Sequence, residues 1–272
     1  MRKVTFNTLN PQAKLFSELK ENSLKWWEMV KNDPRFYIEI RKDNQVNVYY
    51  EGGSVVRLHY CSKRKKLQAF THEKYLGNDK GKSYIECADI LDEKIDYIIE
   101  RIQTKYSQKH GVSKEKWSEK YIQGNIRTKY SSKYIDSEFA YKNDEFDIRI
   151  DLIECINGEL RFVELKRLDD ARMLKEPLSE YVPEVITQMT DYKMFIRKYK
   201  KEILDYYKKV YDIKKELRLP IPNQKPSSLN ETPHLLIFNR WEKSHPKRDT
   251  HTRRMEEILK DEDIDYEIVN EI

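Results

Sequence analysis

The stretch DLIECINGELRFVELK, residues 151–166, decides the reading of this chain. At its centre stands Asn157-Gly158, a dipeptide that accepts the left-handed backbone positions of a tight hairpin turn. A two-residue turn there pairs Ile156 with Glu159, Cys155 with Leu160, Glu154 with Arg161, Ile153 with Phe162 and Leu152 with Val163. Continued, the register sets Asp151 against Glu164, Ile150 against Leu165 and Arg149 against Lys166; a longer turn would shift every pair. One face then carries Ile150, Leu152, Val163 and Leu165 beside the oppositely charged Glu154 and Arg161. The other carries Ile153 and Phe162, then Asp151 and Glu164, then Arg149 and Lys166. Opposed β-carbons lie about 5 Å apart, and like charges so placed destabilise a sheet. Two carboxylates in contact beside an apolar layer need a compensating cation. Oxygen donors alone favour a hard ion, Mg²⁺ or Mn²⁺. Lys166, two residues beyond Glu164, projects from the same face. Its ammonium can position a water or stabilise charge developing on a phosphate. A bare Glu-x-Lys spacing is common on solvated strands. The hairpin register and the apolar flanks IRIDLI and LRFVELK single this one out.

Working outward, strand-like YIDSEFAYK precedes the hairpin, and before it a helix capped by Ser113 is expected from 114 to about 130. After the hairpin come a long helix from Pro183 to Glu216, a loop over 220–233, a strand HLLIFNRW, a helix THTRRMEEILKD and a last strand DYEIVNEI. Upstream, apolar spacing predicts a helix over 10–33, an antiparallel meander over 36–72 and a helix over 84–108. The expected organisation is an N-terminal α+β module of unread role, 1–112, followed by an α/β domain, 113–272. The second domain should read α-β-β-β-α-β-α-β, a mixed central sheet flanked by helices.

With Asp151, twelve intervening residues and then Glu164-Leu165-Lys166, this half resembles the PD-(D/E)XK nuclease superfamily, the restriction-endonuclease-like fold. Ile150 replaces the proline that often precedes the family's aspartate. Gln188 and Tyr192, one helical turn apart and on one face, match the QxxxY signature of RecB-like members. The resemblance implies metal-dependent hydrolysis of phosphodiester bonds. Asp151, Glu164 and Lys166 would be catalytic. Asp151, Glu164 and the Leu165 carbonyl would hold Mg²⁺ or Mn²⁺. Gln188 and Tyr192 would contact the nucleic-acid backbone, DNA rather than RNA by family analogy. A carboxylate from the first core helix often completes the metal site. Glu119 is the preferred residue, with Glu115 as competitor and Glu138 reaching the metal if its parity matches Asp151. Arg172 is a candidate phosphate contact. Many nucleases that cut both strands act as dimers, so a homodimer is among the expected assemblies.

Composition bounds the rest. The 272 residues are 38% hydrophobic and 36% charged, with 19 tyrosines and only 7 glycines, which favours an ordered chain. The net charge of +5 is too mild to identify a nucleic-acid binder alone. Cys61, Cys87 and Cys155 lie far apart, which reads as reduced thiols in a cytoplasmic protein. The start MRKVTFNTLNPQ lacks the apolar run of a signal peptide, and no stretch is apolar enough to span a membrane. Scattered histidines without an HExxH argue against zinc, and no GxxxxGK[ST] or GxSxG occurs. The turn at 63–66 and Lys247-Arg248 are candidate phosphate contacts. The helix from Lys193 to Lys215 is diluted by acids. Two readings stand beside the nuclease: a catalytically inactive nucleic-acid binder with the same fold, and a protein-interaction scaffold using the tyrosine-rich helices.

Overall fold

Asn157 (φ 51) and Gly158 (φ 79) both adopt left-handed backbone, forming the expected two-residue turn. The structure, a computed structural model, describes residues 6–21, 24–106, 114–170, 172–173 and 183–272. In chain order the elements are α1 (Lys14–Glu21), α2 (Lys25–Asn32), β1 (Phe36–Arg41), β2 (Gln45–Tyr50), β3 (Gly53–Cys61), β4 (Lys66–His72), β5 (Tyr84–Glu86), α3 (Leu91–Arg101) and α4 (Glu119–Lys129). Then follow β6 (Tyr134–Lys142), β7 (Asp147–Ile156), β8 (Glu159–Arg167), α5 (Glu184–Lys198), α6 (Lys200–Glu216), β9 (Ser228–Leu229), β10 (His234–Phe238), α7 (Pro246–Asp261) and β11 (Asp265–Val269). The class is mixed α/β, with one antiparallel and one mixed sheet. No helix among the described residues is long and apolar enough to cross a membrane.

Strands β1 to β5 form an antiparallel sheet in sequence order. The second sheet has the order β11-β10-β8-β7-β6, with β9 paired to β8. Here β6, β7 and β8 run antiparallel, while β10 lies parallel to β8 and β11 parallel to β10. Helix α4 covers one face, where Ile122 and Ile126 pack on Leu152, Val163, Leu165, Leu236 and Phe238. Helices α5, α6 and α7 belong to the other cluster, with Val185, Phe195, Tyr207 and Met255 beside Ile150, Ile153 and Phe162.

Several expected boundaries change. The helix over 10–33 is two helices, and the stretch from 84 begins with β5 before α3. Pairing of β5 with β4 across Phe70↔Glu86 to His72↔Tyr84 overrides the local helical spacing there. Helix α4 starts at Glu119, capped by Ser118, whose hydroxyl accepts from the Tyr121 N–H at 3.2 Å; Ser113 lies outside the described residues. The long helix is interrupted at Tyr199 (φ −113, ψ 21), giving α5 and α6. The 220–233 loop contributes β9 to the sheet edge. The expected boundary at 112–113 lies outside the described residues, but one hydrophobic cluster runs from Leu15 and Trp27 through Ile153 to Val210.

The two sheets also meet through a buried ionic network. Glu39 on β1, fully buried, accepts from Arg127 of α4 at 2.7 Å and from Lys214 of α6 at 2.6 Å. Its neighbour on the strand's edge, Arg41, donates to Asp136 Oδ1 and the Ser137 carbonyl of β6, each at 2.7 Å. The Tyr207 hydroxyl donates to the other Asp136 oxygen at 3.1 Å. The hydrogen bonds satisfy charges that would be costly to bury alone.

Candidate active site

The hairpin ladder follows the expected register from Ile156↔Glu159 to Leu152↔Val163 and stops there. Asp151 and Glu164 are therefore not ladder partners, and the pairs Ile150–Leu165 and Arg149–Lys166 are not formed. Two competing pairings pull the strands apart. Past Val163, β8 is recruited by β10 through Val163↔His234 to Arg167↔Phe238, while β7 stays with β6. In the hairpin register every second pair is hydrogen-bonded, so the Leu165 N–H would have met the Ile150 carbonyl. The Asp151 carboxylate accepts it instead, Oδ2 at 2.9 Å.

The side-chain alternation breaks at the same residue. Ile148 and Ile150 pack in the cluster that holds Ile153, whereas Leu152 packs against α4. Ile150 and Leu152 therefore do not share a face as expected. Across from Asp151, Glu138 takes a left-handed backbone (φ 52), and the ladder skips both residues, running Phe139↔Ile150 and Ser137↔Leu152. A left-handed residue in a strand is a bulge that re-aims its neighbours. The Glu138 carboxylate accepts from the Tyr49 hydroxyl of β2 at 3.0 Å, so it points to the N-terminal sheet. Its expected reach to a metal beside Asp151 is corrected on that ground.

The parting of the strands opens a cleft of about 500 Å³. Asp151, Glu164, Glu119, Arg172, Gln188 and Tyr192 all line it. Glu164 is nearly fully buried, and both of its oxygens are held. Gln188 Nε2 donates to Oε1 at 2.8 Å and the Tyr192 hydroxyl approaches Oε2 at 3.0 Å. Lys166 Nζ, fully buried, donates to Glu164 Oε1 and sits 3.4 Å from the Leu165 carbonyl. Gln188 also donates to the Tyr192 hydroxyl at 2.6 Å, and that hydroxyl lies against the Arg149 carbonyl. The QxxxY pair thus braces the second carboxylate while also lining the cleft. Arg172 is engaged by Asp170 at 2.6 Å and lies 3.6 Å from Glu119. Glu119 occupies the rim, at the start of α4. The side chain of Glu115 lies outside the described residues.

Sequence reasoning missed the grip on Asp151 from behind. Gln123, buried on α4, donates to the Asp151 carbonyl at 2.6 Å. Its signal was position, one turn after Glu119 on the same helical face. It also missed Asp147, Glu184 and Asp191, which line the same cleft.

Electrostatics set the chemistry. Six carboxylates line the cleft against the guanidinium groups of Arg149 and Arg172. Burial, then the nearby Glu164 charge, pushes the Asp151 carboxyl up to about 7. Burial likewise raises Glu164, against the pull of Lys166. Glu119 is raised by burial and then by Asp151. Mutually raised carboxyls in one cleft signal unmet negative charge. The donor set is all oxygen, which suits a hard divalent ion. Among the described residues, however, no three acidic, histidine or cysteine side chains are already gathered as a metal site. Asp151 and Glu164 are occupied by the Leu165 N–H and by Lys166 instead. The residues that could hold such an ion are Asp151, Glu164, the Leu165 carbonyl and Glu119.

Comparison with protein-family models, with curated proteins and with solved structures returns no match for this chain.

Proposed function

We propose that the protein is a metal-dependent nuclease that hydrolyses phosphodiester bonds, with DNA as the substrate. The observation that carries this reading is the meeting of Asp151, Glu164 and Lys166 where β7 and β8 part, with Asp151 and Glu164 lining an open cleft and Lys166 buried against Glu164. The sheet order β11-β10-β8-β7-β6, with helices on both faces, supports a restriction-endonuclease-like core. So does the attachment of Gln188 and Tyr192 to Glu164.

Bound Mg²⁺ or Mn²⁺ would polarise the phosphate and make an attacking water more acidic. Asp151 and Glu164 would hold it with the Leu165 carbonyl, and Glu119 would complete the site. The chain's own work is placement. The Leu165 N–H and Gln123 fix Asp151, while Gln188 and Tyr192 fix Glu164. Lys166 keeps a buried ammonium beside Glu164, where it can orient the water or stabilise the charge that grows on the phosphate. Arg172 at the rim offers a guanidinium to a phosphate. An anionic backbone would be repelled by the six cleft carboxylates unless a cation offset them, which makes the ion a condition for substrate entry as well as for chemistry.

One observation favours a second reading, a nucleic-acid binder without turnover: Lys166 already neutralises Glu164, the place a cation would take. Incubation of labelled DNA and RNA with Mg²⁺ or Mn²⁺, alongside EDTA controls and Lys166→Met, separates the two. The nuclease reading expects metal-dependent cleavage that the variant loses. Equal cleavage by the variant, or none by the wild type, would overturn it. DNA binding by the wild type with no turnover in the presence of either metal would support the second reading.

A further inference from the structure

The catalytic cleft is acidic, yet the chain carries a net charge of +5. Part of the chain's positive charge sits in one stretch near the C-terminus. Residues 240–254, RWEKSHPKRDTHTRR, hold six Lys or Arg against Glu242 and Asp249, a local excess of +4. The stretch leaves the end of β10, turns outward and forms the first half of α7. Lys243, Lys247 and Arg253 are exposed. Arg248 lies over the half-buried Trp241 ring at 4.7 Å and donates to the Lys243 carbonyl at 2.7 Å, which ties the turn to the helix.

Two clefts flank this stretch and share Arg248. One, of about 310 Å³, has Asp170, Lys247, Arg248 and His251 in its wall. The other, of about 660 Å³, has Lys114, Lys243, Arg248 and Arg253. The first adjoins the catalytic cleft. Asp170 lines it, and the Asp170 carboxylate holds Arg172, which lines the catalytic cleft. The Arg172–Asp170 pair thus links the catalytic cleft to the wall that holds Lys247 and Arg248, and Arg248 links that wall to Lys243. Three of the acids on this surface are engaged, Asp169 by Arg240, Asp170 by Arg172 and Asp249 by Ser244, while Glu242 and Glu271 also line the larger cleft.

We propose that this surface carries the polynucleotide strand beyond the scissile phosphate, with Lys243, Lys247 and Arg248 contacting successive backbone phosphates. The identity of the strand rests on the nuclease reading; the surface itself rests on charge and on the Arg172–Asp170 link. The basic turn at 63–66 is partly neutralised and lies on the other sheet. At the 63–66 turn, Arg64 and Lys66 pair with Glu86 at 3.1 and 3.3 Å, on the N-terminal sheet.

The test is fluorescence anisotropy of a labelled thirty-nucleotide single-stranded DNA, in EDTA, across a salt series. Three full-length proteins are compared: wild type, Lys243→Ala/Lys247→Ala/Arg248→Ala, and Lys63→Ala/Arg64→Ala/Lys65→Ala, which removes the same charge elsewhere. The first variant should bind about tenfold more weakly at 0.1 M salt, with the slope of log affinity against log salt reduced by about 2. The second should bind like wild type. Unchanged affinity and slope in the first variant, or equal loss in both, would overturn the proposal. Because the readout is binding without metal, failure of the nuclease reading would leave this result standing.

Discussion

Asp151 combines a break in the strand's side-chain alternation, a carboxylate that accepts a backbone N–H, and a carboxyl pushed up to about 7. An acid whose folded value exceeds its unfolded one favours the folded state fully only below the unfolded value, and that advantage is lost as pH rises through the folded value. Here the window runs from about 4 to about 7. Asp151→Asn keeps an acceptor for the Leu165 N–H and removes the charge. In EDTA at pH 8 it should be more stable than wild type by about 2 kcal/mol, a figure reduced for partial exposure. The gap should close near pH 4; a denaturation series that finds wild type more stable at pH 8 would contradict this. Tyr192→Phe removes the hydroxyl beside Glu164 Oε2. Titration of Mn²⁺ should show affinity weakened about 10- to 100-fold, as for other groups that orient a ligand. An unchanged affinity would remove Tyr192 from the site. These residues were legible because their signals are local: a turn dipeptide, an alternating strand, one helical turn between Gln188 and Tyr192. The break at Asp151 was not, because the bulged Glu138 opposite it takes its partner, Tyr49, from 89 positions away.

At the scale of elements, the hairpin was readable to Leu152↔Val163 and unreadable beyond it. A turn propagates register only until another strand competes, and β10 follows β8 after an intervening pair of helices. The break between α5 and α6 carries no proline or glycine, so periodicity ran straight through Tyr199. Helix α4 has its own constraint. A methyl on Gly124 would lie 2.6 Å from the Gly52 nitrogen and 3.1 Å from the Glu51 carbonyl carbon, so the helix rests directly on the β2–β3 turn. Alanine is the better helix former by about 1 kcal/mol. Gly124→Ala should nevertheless destabilise by about 2 kcal/mol and shift Glu119 and Gln123, since backbone cannot yield as a side-chain end can. Chemical denaturation checks it; a neutral or stabilising effect would mean that the helix and turn separate without cost.

The whole molecule joins its two sheets by a shared core and by the Glu39 network. The strand FYIEIR is apolar apart from Glu39 and Arg41, but Arg127 and Lys214, the partners of Glu39, sit on helices far along the chain and cannot be read from it. Removing one member strands the others. Glu39→Gln leaves two buried cations and should cost about 3–5 kcal/mol, measurable as one cooperative loss of both halves. Loss confined to the N-terminal sheet would show that the halves fold apart. The positive charge at 240–254 contrasts with an acidic cleft whose six carboxylates would repel an anionic strand unless a cation offset them. That makes divalent-ion binding at Asp151 and Glu164 the central claim. Its most direct measurement is Mn²⁺ titration followed by electron paramagnetic resonance, for wild type, Asp151→Asn and Glu164→Gln. Saturable binding by the wild type that both variants lose is the expected result. No saturable binding, or binding that survives both substitutions, would contradict it.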